Sequence, residues 1–204
     1  MISRIQPFFP AILVLFHSIG LILFLQSDSA SDLTWMNLML CGTLVFLAEP
    51  LRIKSALIAF IIILGGFLIE LIGTKTGYLF GDYAYGASLG WRLFGVSVII
   101  GVNWYAIVLA SSNIARFLKV NVFLQAVVAG TLCVGLDVVI EPVAIKYGFW
   151  TWANGEIPLF NYITWFFFSV FFSLLYLKSS PLINKTAAWL YAIWLLFFGI
   201  LILM

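Results

Sequence analysis

Seven apolar runs dominate this chain, and little sequence is left between them. They fall at Phe8–Leu25, Leu33–Ala48, Ser55–Ile72, Leu93–Ser112, Asn121–Ile140, Pro158–Leu177 and Lys185–Met204. Each approaches the roughly 20 residues a helix needs to cross a bilayer core. Backbone groups in lipid must find partners within their own segment, so the runs are expected as helices. The composition agrees, with 64% of the 204 residues hydrophobic and only 9% charged. The expected fold class is an all-α integral membrane protein of about seven transmembrane helices, one polytopic domain over residues 1–204. The first run is long for a signal peptide, and no small-x-small cleavage site follows it, so it is read as a spanning helix.

With charge this scarce, its placement carries information. Seven spans alternate the loops between two sides. One side holds Arg4, Arg52, Lys54, Arg116, Lys119, Lys178 and Lys185; the other holds Lys75, Arg92 and Lys146. The positive-inside rule then puts the N-terminus in the cytoplasm and the C-terminus outside, in a bacterial or archaeal cytoplasmic membrane. Acids lean the other way. Asp28, Asp32, Glu70, Asp82, Asp137, Glu141 and Glu156 lie on or near the outer side, and Glu49 alone lies at the inner side.

Two segments share one pattern. Glu70–Tyr78 reads E-L-I-G-T-K-T-G-Y, and Glu141–Phe149 reads E-P-V-A-I-K-Y-G-F. Each ends an apolar run and opens an aromatic, Gly-rich loop, and both loops are expected on one face. The first loop contains Tyr78, Phe80, Tyr83 and Tyr85; the second contains Tyr147, Phe149, Trp150 and Trp152. Rings at membrane interfaces are ordinary, but the inner loops have nothing comparable. The order of segments reads as a parallel repeat of helical hairpins, residues 55–112 and 121–177. Glu49-Pro50-Leu51-Arg52-Ile53-Lys54 resembles the second copy yet falls on the opposite face.

Carboxyl groups at the ends of apolar segments are costly in a membrane and become functional candidates for that reason. Glu70, Asp137, Glu141 and Asp82 are the candidate catalytic set. Asp137 and Glu141 stand four residues apart and share a helix face. One carboxyl in an apolar pocket can hold a proton while a second, in a wetter setting, acts as base. The alternative is structural: Glu70 pairing with Lys75, Glu141 pairing with Lys146, and Pro142 marking a helix exit. Tyr78, Tyr83, Tyr85, Trp150, Trp152, Asn103 and Asn161 are the candidate substrate-binding residues, although interhelical hydrogen bonding would also account for the asparagines. His17 is the one histidine, facing protein, and cannot form a metal site by itself. Cys41 and Cys133 lie inside helices without a Cys-x-x-Cys spacing, and no nucleotide or zinc motif is present. Neither a metal nor an organic cofactor is implied, and no feature points to nucleic acid.

The same residues carry a family resemblance. I-E-L-I-G-T-K-T-G-Y-L-F-G-D-Y-A-Y, the L-F-G-V-S of the fourth helix, and G-L-D-V-V-I-E-P-V-A-I-K-Y-G-F-W-T-W follow one another between Ile69 and Trp165. This stretch resembles the membrane carotenoid 1′,2′-hydratases of the bisanhydrobacterioruberin and γ-carotene hydratase type. One departure is Glu141, where many relatives carry Asp. The resemblance implies carotenoid biosynthesis, with water added across the terminal double bond of a linear carotenoid through a tertiary carbocation. The implied partners are a lycopene- or γ-carotene-like polyene, water, the bilayer and other enzymes of the same pathway. Asp137 or Glu70 would be the acid, with the other and Glu141 positioning water.

Three other functions are weighed against this one. A membrane lycopene cyclase would use the same protonation in a drier pocket. A transporter would spread ionisable residues through the bilayer depth, whereas here they gather at one end. A retinal-binding protein would need a lysine deep in a helix, and no run has one. A non-enzymatic carotenoid-binding or structural membrane protein, such as a subunit of a pigment complex, is the remaining alternative.

Overall fold

The computed structural model describes every residue except Met1, Leu51 and Asn154, together with the side chains of Ile2, Ser3, Asp28 and Ser29. The acid expected at Asp28, Leu51 of the Glu49 segment and Asn154 of the second aromatic loop therefore lie outside what is described. A short turn of helix, α1 (Ile2–Ile5), leads into seven long helices. These are α2 (Phe9–Gln26), α3 (Thr34–Ala48), α4 (Ile53–Thr76), α5 (Ile99–Ala115), α6 (Val122–Lys146), α7 (Leu159–Ser179) and α8 (Lys185–Leu203). Among the described residues, six stretches are long and apolar enough to cross a membrane, and α5, at 17 residues, is a shorter apolar helix. Large apolar side chains such as Leu57, Phe60, Phe123, Phe167 and Leu196 stay exposed on the bundle's surface, as a lipid-facing surface requires. The chain is an all-α integral membrane protein.

The shorter helix is the central one. Helices α3, α4, α6, α7 and α8 all pack against α5. Its residues from Trp104 to Asn113 are buried without interruption. Its start is later than the apolar run suggested. Leu93 and Val96 instead pair in a hairpin of β2 (Arg92–Leu93) and β3 (Val96–Ser97). Phe94 and Gly95 form its turn, with φ of 55° and 93°. Positive φ at both central residues matches the twist a two-residue hairpin needs.

Local sequence sets several helix ends. Asn121 and Asn184 cap α6 and α8 by accepting from the backbone N–H of Leu124 and Ala187, each three residues on. Gly77 ends α4 in the left-handed conformation, φ 68°, which a residue without Cβ adopts at least cost. Pro142 does not end α6 as the sequence suggested, because the helix runs on to Lys146. Proline removes one backbone donor and kinks or weakens a helix, but the α6 surroundings hold the last turn in place. Helices α6 and α7 form the most extensive pairing in the bundle.

The two aromatic loops meet. Strand β1 (Tyr83–Tyr85) pairs antiparallel with β4 (Trp150–Trp152), with Tyr83 opposite Trp152 and Tyr85 opposite Trp150. The loops following α4 and α6 therefore lie at one end of the bundle, in contact.

Candidate functional site: a carboxyl cluster under an aromatic hairpin

A strand turns successive side chains to opposite faces. In β1 this sends Tyr83 and Tyr85 inward and Ala84 outward; in β4 it sends Trp150 and Trp152 inward and Thr151 outward. The short sequences Tyr-Ala-Tyr and Trp-Thr-Trp thus become one surface of four rings closing the end of the bundle. Tyr83 and Trp152 sit with ring centroids 5.0 Å apart, and Tyr83 and Tyr85 with 5.6 Å.

Beneath these rings lie the three helix-borne acids, all at most 3% exposed. Glu70, from α4, accepts hydrogen bonds from the hydroxyls of Tyr83 and Tyr85 on Oε2, the latter at 2.7 Å. Its Oε1 accepts from Trp104 Nε1 of α5 at 2.9 Å. Glu141, from α6, accepts on Oε2 from Trp150 Nε1 at 2.9 Å and Trp152 Nε1 at 3.0 Å. Asp137, one turn earlier, accepts from Asn161 Nδ2 of α7 at 2.8 Å. Both glutamates have aromatic donors in place of the lysine partners weighed from the sequence. Lys146 lies instead over the ring of Tyr147, 5.3 Å from its centroid.

Close helix approach makes the Trp104 contact available. A Cβ on Gly66, one turn before Glu70, would stand 2.5 Å from Trp104 Cβ. Only glycine there lets α5 come near enough for the indole to reach the carboxylate. Trp104 also stacks on Trp165 of α7, with centroids 3.8 Å apart and planes 4° from parallel.

Together these groups line a cavity of about 20 Å³ bounded by Glu70, Asp137, Glu141, Tyr85, Trp150 and Asn161 among others. A polar cavity of at least roughly 10–15 Å³ can hold a water molecule, so there is room for one. Burial first, and Glu70's charge second, hold the Tyr83 and Tyr85 phenols well above their usual range. Both therefore remain hydrogen-bond donors at neutral pH.

Of the eleven residues singled out in the sequence, eight line this cavity: Glu70, Asp137, Glu141, Tyr83, Tyr85, Trp150, Trp152 and Asn161. Three lie elsewhere. Asp82 is exposed, immediately before β1, and its backbone oxygen accepts from Ala153 N–H. Tyr78 is 81% exposed just beyond the α4 cap. Asn103 is half-buried outside the lining, because adjacent helical residues point about 100° apart and Trp104 takes the inward position. Sequence reasoning missed Trp165 and Ile100 as lining residues. Trp165 had a readable signal, since it follows Asn161 at i+4 on the same face of α7.

Three buried acids thus stand under aromatic donors at one end of a membrane bundle. Residues 33–204 match the family described as carotenoid biosynthesis proteins, and the chain belongs to that family. It is also 33% identical over 105 residues to a bisanhydrobacterioruberin hydratase from Haloarcula japonica. That match covers 48% of this chain and 34% of the relative, so the aligned part is about a third of the relative's length. No solved structure matches the chain.

Proposed function

We propose that the protein is a carotenoid hydratase that adds water to the terminal 1′,2′ double bond of a linear carotenoid. The observation that carries this reading is the convergence of three buried carboxyl groups on one water-sized polar cavity walled by aromatic rings. Asp137 is the acid. Among the described residues it has one neutral hydrogen-bond donor, Asn161, and a second acid one turn away, an arrangement suited to keeping a proton. It transfers that proton to C2′, which leaves a tertiary cation at C1′. Ring faces of Tyr83, Tyr85, Trp150 and Trp152 stabilise the cation. The cavity water attacks C1′, and its surplus proton passes to Glu141. Return of that proton to Asp137 at i−4 closes the cycle, with one water consumed and no net proton change.

Glu70 has a different part. Three donors occupy both of its oxygens, so it holds Tyr83, Tyr85 and Trp104 in place around the reacting end. Entry of the carotenoid end group requires the paired aromatic loops to shift, because the cavity holds about one water. The cation count of the loops supports an outer-side location for this end of the bundle. A polar cavity also supports water, rather than the polyene itself, as the group that captures the cation.

The test is expression in a bacterium that accumulates lycopene or γ-carotene, with extracted pigments analysed by mass spectrometry. Hydration predicts a product heavier by one water, absent when Asp137→Asn accumulates in the membrane at the same level. A product of unchanged mass and altered retention would replace hydration with cyclisation. Unchanged pigment from both substrates would remove the reading.

A further inference from the structure

The β2–β3 hairpin stands outside the carboxyl cavity, and its outer face is apolar. Trp91 is 76% exposed, Phe94 67%, Leu93 39% and Val98 37%, while Val96 and Ser97 are buried. Arg92 is the one charged residue between Trp91 and Val98. The turn itself is unusual. Phe94 holds a φ of 55° ahead of Gly95. Turns of this type favour Asn, Asp or Gly at that position, and a bulky side chain there is strained. An aromatic ring kept at a strained position and left uncovered by protein gains nothing from water.

The neighbours of the hairpin place it beside lipid. It leads into α5 where that helix is wedged between α3 and α4. A Cβ on Gly42 of α3 would stand 2.3 Å from Val102 Cγ1, and a Cβ on Gly101 would stand 2.4 Å from the Ile63 oxygen of α4. Strand β3 rests against α4. Just before the hairpin, Gly90 meets Trp35 at the start of α3, where a Cβ would stand 3.0 Å from Trp35 Cγ. Trp35 is 40% exposed, and Met36 and Met39 continue that apolar surface along α3 at 52% and 46%. The rings of the hairpin thus extend the lipid-facing side of α3 beyond the start of that helix. Arg92 is turned the other way. Its Nη1 donates to the backbone oxygen of Tyr85 in β1 at 2.9 Å. The one charge of the hairpin is thereby fastened to the aromatic loops, and the rings are left outside.

We propose that the hairpin lies in the interfacial layer of the bilayer, with Trp91 and Phe94 set among the lipid headgroups and the upper acyl chains. Aromatic side chains favour that layer, and burial of apolar surface there offsets the strain at Phe94. Through Arg92 the lipid-held hairpin fixes the depth of β1, so the aromatic loops over the carboxyl cavity stand at the membrane border. The proposal concerns lipid contact, so it stands whether or not the carboxyl cluster hydrates anything.

The experiment uses the full chain in phospholipid vesicles, with a nitroxide attached at Phe94→Cys. Cys41 and Cys133 are buried, so the introduced thiol takes the label. Oxygen collects in the bilayer and a nickel chelate stays in water, so the ratio of their collisions with the label reports depth. Met39→Cys on α3 supplies the lipid reference. Glu156→Cys, at an exposed acid of the second aromatic loop, supplies the water reference. The Phe94 ratio is expected nearer to that of Met39. A second measurement keeps Phe94 in place. Lipids brominated near the top of the acyl chain quench the tryptophans they touch, and the parent should lose more emission than Trp91→Phe, which retains a ring at that position. A Phe94 ratio nearer to that of Glu156, or equal quenching of the parent and Trp91→Phe, overturns the proposal.

Discussion

Glu49-Pro50 and Glu141-Pro142 begin nearly the same six-residue sequence, at opposite ends of the bundle, and the two glutamates have different surroundings. Glu49 stands just past α3, in extended backbone, and is 4% exposed. Its Oε1 accepts from Tyr176 Oη at 2.8 Å and Asn184 Nδ2 at 2.7 Å. Asn113 continues the network, donating to Tyr176 at 3.0 Å and accepting from the Asn184 backbone at 2.8 Å. Every group there ties one helix to another: α3, α5, α7 and the start of α8. Glu141 lies inside α6 and shares its cavity with two other acids. One carboxylate among amide and phenol donors fastens helices together. Three carboxyls around one cavity have unlike partners and can exchange a proton. Burial and the Glu-Pro sequence are common to both ends, so neither distinguishes them; the company of other acids does.

The largest expected difference is in activity. Asp137→Asn should lower hydration by about a thousandfold, in the range of lost general acid catalysis, while Glu49→Gln stays within about twofold of the parent. Pigment conversion at matched membrane levels reads both, and a comparable loss in the two variants would erase the distinction. Next is stability. Glu49→Ala leaves the Tyr176 and Asn184 donors buried without their acceptor, at a cost of about 1–3 kcal/mol. Glu49→Gln keeps an oxygen there and should cost less. Thermal unfolding in detergent ranks them, and equal midpoints would show that the network fastens nothing.

A smaller effect is expected at the cavity wall. Trp152→Phe keeps a ring but removes one of the two indole donors to Glu141. A bond to a charged group is worth about 1.5–3 kcal/mol, so hydration should fall at least about tenfold. Activity unchanged in this variant would separate Glu141 from the chemistry. The smallest effect concerns alkaline pH. An unfolded tyrosine loses its proton near pH ~10, whereas folded Tyr83 and Tyr85 keep theirs to higher pH. The folded state then binds more protons, so stability declines as pH rises from about 10 through the folded values. Tyr85→Phe should make that decline shallower. An identical slope in parent and variant would detach the decline from this phenol.

Much of this was legible before any coordinates. Apolar runs gave the helices, because length and hydropathy are properties of continuous sequence. The paired Glu-to-aromatic segments gave Glu70, Glu141 and their loops, because acids are conspicuous where charge is rare. Asp82 stands outside the cavity lining although it adjoins Tyr83, because proximity in sequence does not show which way a side chain faces. Asn103 is the polar residue of its turn yet stands half-buried outside the lining, while the helix turns the adjacent Trp104 inward to Glu70. Pro142 read as a helix end because propensity is local, and the packing that carries α6 past it is not.

The sequence by itself determined a helical membrane protein, with acids and rings gathered at the ends of two apolar runs, because hydrophobic length and scarce charge act along the chain. Tertiary structure decided which acids share a cavity and which rings donate to them. Those are distances between residues far apart in sequence, set by how closely α4, α5, α6 and α7 can pack, and no local pattern contains them.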